Sequence, residues 1–336
     1  MTSHDWDQLS SHALGAAGVL YFLALICHLV EWSALAGRRT AVAERELVGA
    51  GAPDAAQDDR QAAEQPRTSY DEKRELRREF SARLGILLTG IGVVIHLGAL
   101  VARGMAAEPH RVPWGNMYEF TMSGTFVVVA AYVLLYRRLT LAWMAPLVLT
   151  FALIIMMIGE IWLYEPIAPL TEALNSYWLV IHVVSAILAT GAFTLGGMAS
   201  AMYLVKARAG DRSTGWLAHV PSLPVLDRVA YRIHAFAFPV WTFAVLITGP
   251  IWAHEAWSSY WNWDPKEVWA FITWVVYAGY LHARATAGWR GRNAAILALV
   301  GMATLWFNFI GINYFSTTSS HSYAAPVGGA VVEVRR

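Results

Sequence analysis

The chain has 336 residues, 57% of them apolar and 15% charged, with a mean hydropathy of +0.41; soluble domains run at roughly 45–50% apolar and about 25% charged, so a membrane protein is expected. A net charge of +1 supplies no global field for nucleic acid, and no nucleic-acid partner is expected. The single cysteine, Cys27, excludes an intramolecular disulfide, a cysteine-based zinc site and a C-x-x-C-H haem attachment motif.

Eight windows are apolar over the roughly 20 residues that a spanning helix needs: 13–36, 84–104, 118–136, 140–160, 177–205, 233–252, 267–287 and 294–315. Met1–Ser11 has no basic n-region, and the first window ends in Gly37-Arg38-Arg39. That pattern predicts a retained span rather than a cleaved leader. Segment 40–80 is rich in Ala, Glu, Asp, Gln and Arg, lacks a long apolar face and contains Pro53 and Pro66. It reads as a flexible cytoplasmic loop, helical from Asp71 to Phe80. The window 177–205 is long enough to tilt or to project beyond a bilayer.

Loop charge sets the orientation. The alternate loops 37–83, 137–139, 206–232 and 284–293 hold twenty Lys and Arg, whereas the opposite set holds four: Arg111, Lys266, Arg335 and Arg336. Positive loops stay in the cytoplasm, so both termini are expected outside. The fold expected is an all-α polytopic membrane protein of about eight transmembrane helices with extracytoplasmic termini. Its first unit is residues 1–36, a span with a short external N-terminus. The loop 37–83 follows, then a membrane core 84–325, then an external tail 326–336.

Eight of the eleven histidines lie in or beside the windows, where an ionisable group is costly and marks a functional candidate. His182 opens the fifth window on its outer side, and His321 lies just beyond the eighth, on the same side. Two imidazoles from different helices at one membrane level can hold a haem iron axially; two interfacial histidines bonded to backbone fit the same positions. His282 is 18 residues past Asp264, or about 27 Å along a helix, which places it near the cytoplasmic side beside Arg284. His28 or His96 could mate with His282, and each equally reads as a helix–helix hydrogen-bonding group.

Six of the sixteen tryptophans fall between residues 252 and 274. The external loop 252–269 contains Trp257-Ser-Ser-Tyr260-Trp261-Asn-Trp263-Asp264-Pro265-Lys266-Glu267. Indoles favour a membrane interface, but a flat porphyrin also requires large rings to stack on with polar handles around them. Asp264-Pro265 suits a helix start, with Asp as N-cap and Pro in the first turn.

That Trp-rich string resembles the "WWD" signature of haem-handling proteins in cytochrome c maturation. Further stretches narrow the resemblance to the CcsA/ResC-type (actinobacterial CcsB) family of System II. They are Tyr177-Trp178-Leu-Val-Ile-His182, the run from Ala270 to Arg284 that holds His282, His321-Ser322-Tyr323, and Pro113-x-x-Asn116-Met117-Tyr118-Glu119-Phe120. The resemblance covers residues 84–325. It implies a subunit that moves haem b, its transported substrate, across the bacterial cytoplasmic membrane. The haem would be presented outside for covalent attachment to a CxxCH apocytochrome c. It implies that His182 and His321 are external axial ligands of the iron and that His282 is the ligand at an inner site. Trp257, Trp261, Trp263 and Asp264 would be haem-binding residues, and no residue of the chain would be a catalytic nucleophile. It also implies a ResB-type membrane partner, within a holocytochrome c synthase complex, and indirectly a thiol-reducing thioredoxin-like protein. A System I-type WWD protein and an electron-transferring b-type cytochrome are the neighbouring alternatives. The chain departs from the family at Ser258, where Gly is usual, and at His254, where Asn is common.

Overall fold

A computed structural model describes residues 1–49, 69–167, 176–210, 215–316 and 319. Helix dominates, and no strand occurs among the described residues. Eight long helices follow one another: α1 Ser3–Gly49, α2 Ser69–Ala106, α3 Met117–Leu135 and α4 Ala145–Ile158, then α5 Tyr177–Ala209, α6 Leu223–Thr242, α7 Pro265–Ala285 and α8 Arg292–Trp306. Three of them end in π-helical segments, Gly159–Leu163 after α4, Phe243–Thr248 after α6 and Phe307–Gly311 after α8. Helix α6 resumes beyond its segment as Gly249–Trp257, and α8 as Ile312–Phe315.

Seven of these helices, α1 to α6 and α8, are long and apolar enough to cross a membrane. The eighth, α7, has 21 residues, or about 31 Å of helix, enough for a hydrocarbon core of about 30 Å. Lys266, Glu267, His282, Arg284 and its indoles and phenols lower its hydropathy. The stretch Asp71–Phe80 is helical within α2. Helix α6 starts ten residues before the apolar window at 233, because Ser222 and Pro224 open it and Leu226, Val229 and Ala230 are buried. Arg228 and Arg232 had hidden that start from a hydropathy reading.

Helices α1 and α2 form a hairpin that leans on α4 and α3, while α5 packs on α3, α6 and α8. Helix α5 is therefore the central post. Its buried face is built of small residues, Gly191, Ala192, Gly196, Gly197, Ala199 and Ser200. Small residues let helix backbones approach where lipid gives no hydrophobic drive for association. At Gly196 a Cβ would lie 2.6 Å from the His234 ring, so only glycine admits that imidazole between α5 and α6.

Candidate functional site

A cleft opens at the end of the bundle that carries the Trp-rich segment. It encloses about 1160 Å³ of space outside protein atoms, its open mouth included. Four elements wall it: Trp114, Asn116 and Phe120 at the start of α3, His182 and Val183 on α5, Trp241, Val245 and Trp252 on α6, and Leu305, Asn308 and Phe309 on α8. Tyr260, Trp261 and Lys266 close it from the loop and first turn of α7. Two of the three π-helical segments contribute lining residues, and such bulges recur at functional sites because they re-aim side chains.

His182 is set by that device. Its Nδ1 lies 3.0 Å from the Ala244 carbonyl oxygen, inside the Phe243–Thr248 segment. A carbonyl only accepts, so Nδ1 carries the proton and the lone pair sits on Nε2, the arrangement of a metal-ligating imidazole held by backbone. The ring stacks on Trp252, with centroids 5.9 Å apart and planes at 15°. Gly249 lies against the ring, where a Cβ would sit 3.2 Å from it. Ser176 caps α5 by accepting from the Trp178 amide at 3.1 Å and donates its hydroxyl to Glu255 on α6. The start of α5 is thereby tied to the helix that supplies the tryptophans.

The loop after α6 is knotted onto α7. Asp264 is the N-cap, and Glu267 completes a capping box. Glu267 Oε2 accepts from the amides of Asn262 at 2.9 Å and Asp264 at 3.2 Å. Asp264 Oδ1 accepts from the Lys266 amide at 2.9 Å and from the Ser319 hydroxyl at 2.7 Å. Asp264 is thus buried and structural in its contacts, and it ties the C-terminal segment to α7. Lys266 Nζ donates to Asn313 Oδ1 at 3.0 Å.

The predicted tryptophans separate by role. Trp261 lines the cleft. Trp257 stands behind it, edge-on to Trp252 at 4.8 Å. Trp263 is 73% exposed, edge-on to Trp261, and held at φ 55°. Ser258 also has a positive φ, 57°, and its amide closes the end of α6 on the His254 carbonyl at 2.9 Å. That is the left-handed C-terminal position that favours glycine. Replacing Ser258 by Gly is expected to stabilise the protein by roughly 0.5–1 kcal/mol, the steric relief being partly offset by a freer unfolded chain. A rise in melting temperature in detergent checks this; a fall would show that the serine side chain contributes more than its strain.

A buried ion cluster holds the α3 wall. Glu119 is 1% exposed and accepts from Arg103 Nε at 3.1 Å, from Arg111 Nη1 at 2.6 Å and from the Gly115 amide at 2.8 Å. Arg103 also reaches Asp7 on α1 at 2.8 Å. Asn116 caps α3 by accepting from the Glu119 amide at 2.9 Å. Trp114 and Asn116 therefore enter the cleft from a loop pinned at both ends. Sequence reasoning missed this cluster, although Asn116 and Glu119 lie in a matched stretch.

His282 sits near the opposite, basic end, exposed on the outer face of α7. Beside it Arg284 forks onto Asp227 at 2.7 and 3.0 Å. His321 lies outside the described residues. His28, His96 and His234 are buried and away from the cleft: His96 contacts Tyr21 and Phe126, and His234 contacts Phe193, Tyr277 and Tyr280. His254 stacks on Tyr260 at 4.3 Å at the cleft mouth. No cluster of three His, Cys, Asp or Glu able to hold a bare metal ion occurs among the described residues.

The sequence model of the cytochrome C assembly protein family matches residues 114–319, which spans every wall of the cleft. A protein named cytochrome c biogenesis protein CcsA from Guillardia theta is 33% identical over 236 residues, covering 64% of this chain and 78% of its own. Proteins of the same name from Mesostigma viride and Gloeobacter violaceus are 29% and 30% identical, each over 71% of this chain and over 85% and 86% of their own. Among solved structures, the cytochrome c heme lyase CcmF superposes with a TM-score of 0.57 at 14% identity, over 93% of this chain and 49% of that one. The chain thus spans about half of that protein and shares its fold. By the extent of these matches the chain belongs to the cytochrome C assembly protein family and is of the CcsA type.

Proposed function

We propose that the chain is the haem-handling subunit of a System II cytochrome c synthase. It receives haem b at His282 and presents it in the Trp-lined cleft for attachment to a CxxCH apocytochrome c. The observation that carries this reading is His182. It is an imidazole with its lone pair on Nε2, fixed by a backbone acceptor and stacked on indole, in the wall of a mainly apolar, aromatic-lined cleft. The second external ligand is His321. Ser319, two residues before it, is bonded to Asp264 beside the cleft.

Haem is the substrate, and the chain supplies position. The indoles of Trp252 and Trp261 and the apolar side chains exclude water, and His182 orients the iron. Each substrate thiol adds across one haem vinyl, sulfur to one carbon and hydrogen to the other, so no electrons are gained or lost. The residues of the chain raise the effective concentration of thiol and vinyl, and no protein nucleophile is needed. His282 faces outward from α7, so its mate comes from a ResB-type membrane subunit. Reduced thiols on the apocytochrome require a thioredoxin-like reductant acting upstream. Eight crossings of a bacterial cytoplasmic membrane put both termini and the cleft outside, with residues 37–83 in the cytoplasm. In this organisation 84–325 is the haem-handling core and 326–336 an external tail.

Co-expression with a ResB-type partner, followed by pyridine haemochrome spectra and acid–acetone extraction, tests the reading. The complex should carry extractable b-type haem, and a haem-free complex from haem-replete cells overturns it. His282→Ala should lower the haem content of that complex and stop cytochrome c maturation. Unchanged maturation would assign His282 to the lipid-facing surface alone.

A further inference from the structure

The carbonyl that fixes His182 is shared. Ala244 O accepts from His182 Nδ1 at 3.0 Å, from the Thr248 hydroxyl at 3.1 Å and from the Gly249 amide that closes the π-helical segment. A carbonyl oxygen has two lone pairs, so three donors cannot each hold one undivided. In a regular α-helix that oxygen would receive the amide four residues on. The Phe243–Thr248 segment passes this role one residue further, to Gly249, and the oxygen is reached from α5 as well.

Thr248 is fully buried, and its hydroxyl also lies 3.2 Å from Phe243 O. Threonine in a helix commonly bonds back to the carbonyl four residues before it. Here that carbonyl is the one that carries the imidazole. Gly249 leaves room for the arrangement, since a Cβ there would stand 3.0 Å from Ala244 O and 3.2 Å from the His182 ring. The sequence Thr248-Gly249 thus brings a hydroxyl, an amide and an imidazole onto one oxygen.

We propose that Thr248 is a positioning residue for His182: its hydroxyl takes part of the Ala244 carbonyl, loosens that carbonyl's hold on the Nδ1 proton and keeps the imidazole a ligand that releases haem. This rests on the haem-handling reading above. The bond made by Nδ1 sets how strongly the imidazole donates to iron, and a tighter one gives a firmer ligand and a lower potential. A subunit that hands its haem on requires a ligand that lets go, and a shared acceptor supplies one without disturbing the tautomer.

The link is read first without haem. In the purified full chain carrying isotope-labelled histidine, the His182 signals are those missing from His182→Gly. Thr248→Ala and Thr248→Val both remove the hydroxyl, one losing bulk and the other keeping it. Both should move the Nδ1–H resonance to lower field, the sign of a tighter bond, and Thr248→Ser should keep the wild-type position. Haemin is then added to chains that also carry His282→Ala, so that the cleft alone is read. Both hydroxyl-free variants should lower the midpoint potential of the iron. Haemin release to excess apomyoglobin should slow by about 2- to 10-fold, less than the roughly 10- to 100-fold that loss of a whole outer-shell partner costs. Resonances and release rates unchanged in both variants overturn the role of Thr248. Shifts of opposite sign in the alanine and valine variants overturn it too, because they follow bulk rather than the hydroxyl. A haemin spectrum that is the same with and without His182 overturns the haem-handling reading itself, while the histidine signals of the haem-free chain still decide whether Thr248 acts on His182.

Discussion

Replacing His182 by Gly is expected to remove haem from the external cleft and to abolish cytochrome c maturation while the chain still inserts and folds. The loss should exceed the roughly 10–100-fold that outer-shell partners of a metal ligand cost. Added imidazole should restore part of both. The expectation follows from what surrounds the ring. Trp252 and Gly249 lie against it and the Ala244 carbonyl accepts its Nδ1 proton. Deleting the side chain therefore leaves a slot shaped for imidazole, with the acceptor that sets its tautomer in place. Rescued protein should recover a bis-imidazole haem spectrum. Phenylalanine at the same position fills the slot without a donor, so His182→Phe should not respond to imidazole. A stable His182→Gly protein with wild-type spectrum and full maturation would remove the residue from the site. Protein lost in both variants would instead place the ring in the packing of α5 on α6.

How much of this was legible in the sequence depends on the range of the interactions involved. The capping box of α7 was readable because Asp264, Pro265 and Glu267 are neighbours whose preferences are local. The spans were readable because a bilayer imposes a length and a composition. His182 and Trp261 were readable from the strings they sit in, and the structure places both on the cleft. The opposing wall was not. Asn308 and Phe309 arrive there through a π-helical segment, and one extra residue in a turn leaves no periodic signature in an apolar stretch. In the sequence Arg103 is one charge near the end of an apolar window. Its meaning lies in Glu119, sixteen positions on, and in Asp7 on another helix. The resemblance groups Trp263 with the haem-binding residues. Its positive φ turns it outward, and backbone conformation of that kind is decided by the knot that follows it.

Glu119→Gln is the substitution expected to cost the most stability. The carboxylate is 1% exposed, and it faces the guanidinium of Arg103, 3% exposed, as well as that of Arg111. Glutamine keeps the shape but leaves two guanidinium groups sharing Asp7 and backbone oxygens. Breaking a buried pair at one partner typically costs about 3–5 kcal/mol, because the remaining charge stays desolvated. Melting in detergent should fall by on the order of 5 °C. The damage should be directional: Gly115 loses its acceptor, the connection before α3 loosens, and protease access should rise first between residues 104 and 117. Removing a partner as well should hurt less than the two single changes added together, so Arg111→Gln with Glu119→Gln is expected to recover part of the loss. Additive effects would mean that the two side chains act independently, and a melting point unchanged in Glu119→Gln would mean that water reaches the cluster. In either case Trp114 and Asn116 would owe their place in the cleft wall to the α3 cap alone.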